Sequence, residues 1–257
     1  MALFGLGKKA SVPDQPTSRV PDGIRVYAVG DVHGRFDLLR SLLARIEADD
    51  AARAPASTHV VLLGDLIDRG PQSREVVDLL LNHPPQFATI HIIMGNHEEM
   101  LLRLADDPHA RGMAHFLRFG GRETFESYDA PQRVLDLPEG LPNTILTGSI
   151  PPEHLDFLRR AHHGLQFGDY LFVHAGIRPG IPLDKQSKND LRWIRSDFLD
   201  STEDHGVVVV HGHTIVPAPE VRANRIGIDT GAYASGVLTA LGLEGATRWW
   251  LATERDR

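Results

Sequence analysis

The apolar residues of this chain fall into short runs that end in charge or glycine, separated by stretches of helical period. Ile24, Val26 and Ala28 alternate within residues 23–30, the period of a half-buried strand. Phe36, Leu39, Leu42, Leu43 and Ile46 then recur at helical spacing, and an alanine-rich close with Pro55 stops that helix. Val60 to Leu63 is a continuous apolar run, read as a buried strand, and it enters Gly64-Asp65-Leu66-Ile67-Asp68-Arg69-Gly70-Pro71. Ser73 is placed as the N-cap of a helix with Val76, Val77, Leu80 and Leu81 on its apolar face and Pro84-Pro85 at its end. Thr89 to Met94 reads as a third strand, ending in Gly95-Asn96-His97-Glu98. Strands alternating with helices imply parallel pairing through right-handed crossovers.

Residues 98–165 change character: helical in the main, turning at Gly120-Gly121 and Pro138 to Pro142, with no clear strand. They are expected to form a helical cap insertion beside the sheet. Tyr170 to Val173 and Val207 to Val210 are further strands, ending in His174 and in His211-Gly212-His213. Arg225 to Ile228, Gly236 to Leu243 and Arg248 to Ala252 are short strands with no helices between them, which suggests a second, antiparallel-leaning sheet. Residues 1–20 read as a flexible tail and 21–257 as a single domain.

Composition narrows the chemistry. With 42% hydrophobic and 24% charged residues over 257 positions, the chain is that of an ordinary globular protein with a sizeable core. No apolar run is long enough to cross a bilayer. The opening MALFGLGKK has too short an apolar stretch for a signal peptide, and its positive charges follow that stretch. A cytoplasmic protein is expected, with a weak peripheral membrane contact by Leu3, Phe4 and Leu6 left open. A net charge of −7 without a basic run argues against non-specific nucleic-acid binding. There is no cysteine, so any transition metal must be held by His, Asp, Glu or Asn, and 14 histidines are present.

Five strands end in glycine or a small residue beside metal-capable side chains: Asp31 and His33; Asp65 and Asp68; Asn96 and His97; His174; His211 and His213. Open α/β sheets place ligands at the carboxyl ends of their strands. Two divalent ions about 3.5–4 Å apart clamp the attacking and leaving oxygens of a displacement at phosphorus. Such a pair calls for oxygen and imidazole ligands and for one carboxylate able to bridge.

GDVHG at 30–34, GDLIDRG at 64–70, GNHE at 95–98, VHAG at 173–176 and GHT at 212–214 resemble, in order, the motifs of the calcineurin-like metallophosphoesterases. The resemblance spans about residues 24 to 243 and is closest to small bacterial and phage members of the PPP-type serine/threonine phosphatases. It implies two mixed β-sheets packed as a sandwich flanked by helices, a four-layer α/β/β/α fold. By resemblance, Asp31 and His33 hold one metal, Asp65 bridges, and Asn96, His174 and His213 hold the other. Water activated between the ions is the implied nucleophile. His97 is the implied general acid with Asp68 as its orienting partner, and Arg69 the phosphate-binding arginine. Trp193-Ile194-Arg195 resembles the segment that supplies a second such arginine, Arg195. The donor set fits Mn2+, Fe2+ or Zn2+, and the resemblance favours Mn2+.

Other residues take plainer readings. His211 precedes the GHT motif and is read as structural or as a support for the ligands. Position 215, where related enzymes carry a further histidine, is Ile215. Glu98 opens a helix and is read as a support for the ligands. Tyr233, after Asp229-Thr230-Gly231, is read as a packed sheet residue, with a place bordering the site as the alternative. His59, His83, His91, His109, His115, His154, His162, His163 and His205 match no motif and are read as surface or packing residues.

These signals imply an enzyme, a phosphomonoesterase acting on phosphoserine and phosphothreonine in proteins. One alternative is a symmetrical dinucleoside-tetraphosphate hydrolase, a group whose second and third motifs usually read GDLVARGP and GNHD. Asp68 and Glu98 depart from that pattern. A broad-specificity phosphodiesterase is a further alternative, and a catalytically idle binding module is another of a different class. That last reading predicts lost ligands, whereas every PPP-type ligand is in place. The substrate is thus expected to be a phosphorylated protein or a small phosphate ester.

Overall fold

The computed structural model describes residues 18–136 and 142–254. Most of the segment read as a tail, with Leu3, Phe4 and Leu6, and all but Pro142 of the turn read at Pro138 to Pro142 lie outside these residues. Of the segment 1–20, residues 18–20 pack against the folded body. Val20 is buried and its N–H donates to Gly245 O at 3.0 Å, while Ser18 O accepts from the Tyr170 hydroxyl at 3.1 Å.

Two five-stranded mixed sheets form the centre. In the first, β1 (Ile24–Val29), β2 (Ser57–Leu62) and β3 (Thr89–Ile92) run parallel. The second holds β4 (Leu165–Phe167), β5 (Tyr170–Phe172), β6 (Val208–His211), β7 (Glu220–Val221) and β8 (Arg225–Gly227) in the order β4-β5-β6-β8-β7. There β5, β6 and β8 are parallel, and β4 and β7 are antiparallel edges.

The last strands differ from expectation. β9 (Thr239–Glu244) and β10 (Thr247–Ala252) do not join the second sheet but extend the first: β9 pairs antiparallel with β1, and β10 pairs antiparallel with β9 at the edge. Their apolar faces complete both sides of β1: Leu241 and Leu243 point between the sheets, and Trp249 packs edge-on against Tyr27 at 5.7 Å. β4 was not expected at all. Three residues with two apolar positions give too short a pattern to separate from helix.

Three apolar layers hold the stack together. Val26, Ala28, Val61, Leu63 and Ile93 meet Tyr170, Phe172, Val208, Val210 and Ile226 between the sheets. Leu39, Leu42 and Ile46 of helix α1 (Phe36–Ala51) cover the outer face of the first sheet on Tyr27, Val29 and Leu62. Val173 and Val209 meet Ile194 and Phe198 outside the second. The result is the α/β/β/α sandwich implied by the motifs. Phe116, Phe125, Leu146 and Leu158 of the segment read as a cap belong to the same cluster as Leu39 and Leu62. Among the described residues no helix is long and apolar enough to cross a membrane.

Candidate active site

Six parallel strands send their carboxyl ends to one edge of the sandwich, and the motif residues follow five of them, all but β8. The loops are tight. Among the described residues six non-glycine residues have positive φ, and five of them are His33 (46°), Asp65 (47°), Asp68 (73°), Arg69 (67°) and His213 (63°); the sixth is Asp129. A left-handed backbone at a non-glycine residue costs about 1–2 kcal/mol, so the surroundings must hold these turns in place. Glu98 does so for the loop after β2. Its buried carboxylate accepts N–H bonds from Asp65 (2.9 Å), Leu66 (2.8 Å), Ile67 (3.3 Å) and Gly95 (3.0 Å). Burial and the Asp65 charge push Glu98 up to about 7.

Asp65 stands at the centre. Its Oδ2 is 3.5 Å from His33 Nε2 and its Oδ1 is 3.4 Å from His174 Nε2. Two groups of side chains close enough to hold an ion, His33-Asp65-His97 and Asp65-His174-His213, share this residue. The tautomers fit cations. His174 donates from Nδ1 to Leu63 O at 2.8 Å, which leaves Nε2 as a bare lone pair. That lone pair faces Asn96 Oδ1 at 2.9 Å and His213 Nδ1 at 3.1 Å. His33 likewise donates from Nδ1 to Ile67 O at 2.9 Å and turns Nε2 to Asp65. Buried Lewis bases crowded this closely call for positive charge between them.

The electrostatics agree. Burial lowers His33 to about 3 and, with His174, lowers His213 to about 2, so both imidazoles are neutral at pH 7. Burial would raise Asp65, but the four surrounding imidazoles outweigh it and hold the carboxylate well below its usual range. Burial, Asp229 and Asp65 raise Asp31 well above its ordinary value. Asp31 accepts the His213 N–H on both oxygens, at 3.2 and 3.0 Å. A Cβ at Gly212 would lie 2.0 Å from Asp31 Oδ1, so only glycine permits this approach.

His97 and Asp68 form a dyad beside Asp65: Nδ1 lies 2.5 Å from Asp68 Oδ2. Thr124 donates to Asp68 Oδ1 at 2.5 Å and accepts the Asp68 N–H at 2.8 Å. Burial lowers His97, but Asp65 and Asp68 outweigh it and carry the ring up to about 9. Arg69 Nη2 is 3.2 Å from His97 Nε2, and its guanidinium lies 4.8 Å from the Tyr233 ring centre. The Arg69 N–H donates to Gly120 O at 3.0 Å, where a Cβ on Gly120 would come within 2.6 Å of Arg69. Arg195 is exposed on the other side, 3.4 Å from Thr214 Oγ1, and its charge reaches His213 and His174.

The family model of the calcineurin-like phosphoesterases matches residues 24–237, most of the chain. The chain is a calcineurin-like phosphoesterase. It is 33% identical over 153 residues to a symmetrical bis(5'-nucleosyl)-tetraphosphatase of Dechloromonas aromatica, covering 60% of this chain and 44% of that protein. It thus spans under half the length of that relative. It is 29% identical over 224 residues to serine/threonine-protein phosphatase 2 of Escherichia coli, covering 83% and 90% of the two chains. A metallophosphoesterase structure from Sphaerobacter thermophilus shares the fold with a TM-score of 0.54 at 18% identity, over 91% and 90% of the chains.

The edge of the phosphoesterase thus gathers Asp31, His33, Asp65, Asp68, Arg69, Asn96, His97, His174 and His213, with Arg195 at the rim. His211 points elsewhere: it is buried 5.2 Å from the Phe198 ring, with Nδ1 3.1 Å from Gly212 O. Tyr233 corrects its reading as a sheet residue. It sits in a short helix, Ala232–Ser235, with its ring 5.5 Å from His33. Ser73 is not the N-cap, which is Gln72. Instead its Oγ accepts the Asp68 N–H at 3.0 Å. Sequence reading missed Thr124 and Asp229. Asp229 follows β8 as the motif residues follow their strands, and that rule could have found it. Thr124 carries no comparable signal.

Proposed function

We propose that this phosphoesterase is a phosphomonoesterase that dephosphorylates serine and threonine side chains of proteins. The observation that carries the reading is the Asp68–His97 dyad beside Asp65. Asp31, His33 and Asp65 would hold one divalent ion, and Asp65, Asn96, His174 and His213 the other, with Mn2+ the favoured metal. When bound, the ions polarise the phosphoryl oxygens and lower the pKa of water towards neutrality. Arg69 and Arg195 bind the phosphoryl oxygens that face away from the ions. Arg69 leaves His97 Nε2 for the phosphate, which opens that nitrogen to the leaving oxygen. Asp68, fixed by Thr124 and Ser73, keeps the proton on Nδ1, so the proton at Nε2 is the one delivered. A serine alkoxide is strongly basic and needs that proton; a departing nucleotide phosphate needs it far less.

The relatives' names support a second reading, hydrolysis of dinucleoside tetraphosphates. Trp193, 37% exposed and 6.5 Å from the His213 ring, offers a face on which a base could stack. The test is a comparison of kcat/KM for phosphoserine and phosphothreonine peptides, dinucleoside tetraphosphates, nucleotides and a bis-aryl phosphodiester, all with Mn2+. Phosphopeptides are expected to lead the panel. A dinucleoside tetraphosphate in first place would replace the first reading by the second.

A further inference from the structure

Away from the catalytic edge, at the start of β2 and within β3, histidines from three adjacent segments line one face of the first sheet. His59 and Val61 share a face of β2, and His91 and Ile93 share a face of β3, the face turned to the second sheet. His162 lies next in line. Its N–H donates to Ile92 O at 2.8 Å, its carbonyl accepts the Met94 N–H at 2.7 Å, and it bridges Ile93 in parallel register. Bridged residues send their side chains to the same face, so His162 stands beside His91, ring centres 5.9 Å apart. His59 lies six positions before Asp65, about 20 Å along an extended chain at 3.3 Å per residue.

We propose that His59, His91 and His162 form a binding site for a zinc-class transition-metal ion, separate from the catalytic edge. Nδ1 of His59 and Nε2 of His91 are 3.0 Å apart. Two nitrogens each about 2.0–2.1 Å from a tetrahedral ion lie roughly 3.4 Å apart, so a small movement admits a metal where the pair now shares a proton. The outer nitrogen of His59 is already held, with Nε2 3.3 Å from Ser57 Oγ. An outer partner of this kind fixes the tautomer of metal-binding imidazoles and aims the other nitrogen inward. His162 is exposed and brings a third nitrogen by side-chain rotation, and water takes the fourth position.

Two further features favour binding. Burial, with His59 and His162 nearby, holds His91 down at about 4, and burial lowers His59 as well. The pair is therefore neutral at pH 7, the form that ligates. Phe167 closes one side, its ring centre 4.7 Å from that of His59 and 5.9 Å from that of His91. An imidazole-only donor set selects Zn2+, Ni2+ or Cu2+ over Mg2+ and Mn2+. In this it differs from the mixed oxygen and nitrogen set around Asp65.

The test is equilibrium dialysis against Zn2+ with metal analysis of the full-length protein, wild type beside His91→Gln. The wild type is expected to hold one more zinc per chain than His91→Gln, while both keep the same Mn2+-dependent kcat/KM. His162→Gln, at an exposed position that tolerates change, is expected to weaken binding of that same additional ion. Equal zinc content in wild type and His91→Gln would overturn the proposal. So would an unchanged zinc isotherm in His162→Gln should His91→Gln fail to fold.

Discussion

The Asp68 carboxylate holds Nδ1 of His97 at 2.5 Å, and the same carboxylate takes a hydrogen bond from Thr124. Against burial, Asp65 and then Asp68 make His97 a stronger base than free imidazole, up to about 9. An acid must be protonated to act, so kcat/KM on an alkyl phosphate is expected to fall as pH rises through the His97 value. Removing the Asp68 charge removes part of what holds that proton. Asp68→Asn should therefore move the alkaline limb of the pH profile to lower pH. A limb that stays in place in Asp68→Asn would uncouple the two residues.

Asp65 is common to both groups able to hold an ion. Chelation is expected to abolish activity and Mn2+ to restore it. Asp65→Asn should lose more bound metal than His33→Ala or His213→Ala, each of which belongs to one group. Metal analysis of active wild type is expected to give two ions per chain in this region; one ion or none would contradict the two-metal reading.

Much of this edge is legible in the sequence, because parallel strands must all end on one side and each motif follows a strand. The conformations of the loops are not. Nothing in the residue types of His33, Asp65, Asp68, Arg69 or His213 announces a positive φ; Glu98 holds the Asp65 N–H, Gly120 O the Arg69 N–H and the Asp31 carboxylate the His213 N–H, all through space. Thr124 reaches Asp68 across 56 positions, and β9 pairs with β1 across the whole domain. Neither contact leaves a local pattern. The assignment of β9 and β10 to the wrong sheet has the same origin: alternation fixes which face of a strand is apolar, not which strand lies beside it.

Glu98 bears on stability as well as on the site. Its carboxylate accepts four backbone N–H bonds, from Asp65, Leu66, Ile67 and Gly95. Glu98→Gln keeps the shape but sets an NH2 group against N–H donors. Leaving a buried donor unsatisfied costs about 1–3 kcal/mol, so thermal unfolding should shift down and Mn2+ should bind more weakly. Unchanged Tm and metal affinity would reduce Glu98 to a helix-opening residue.

Arg69 is pinned at its backbone by Gly120 and beneath Tyr233, whereas Arg195 is exposed. Arg69→Ala is expected to weaken substrate and inorganic phosphate together, with both metals retained. Arg195→Ala should do so more mildly, since its interaction is screened by solvent. Unchanged phosphate inhibition in Arg69→Ala would remove Arg69 from the substrate.

General acid catalysis contributes about 10²–10⁴ in rate, and it matters most for a poor leaving group. The decisive measurement is therefore the ratio of chemical-step rates on a phosphoserine peptide and on a nitrophenyl phosphate, in wild type and His97→Ala, with metal content determined on the same samples. The expected result is that His97→Ala keeps both metals and loses far more rate on the phosphoserine peptide. An equal loss on both substrates, accompanied by loss of a metal, would make His97 a ligand and leave the dyad with no part in the chemistry.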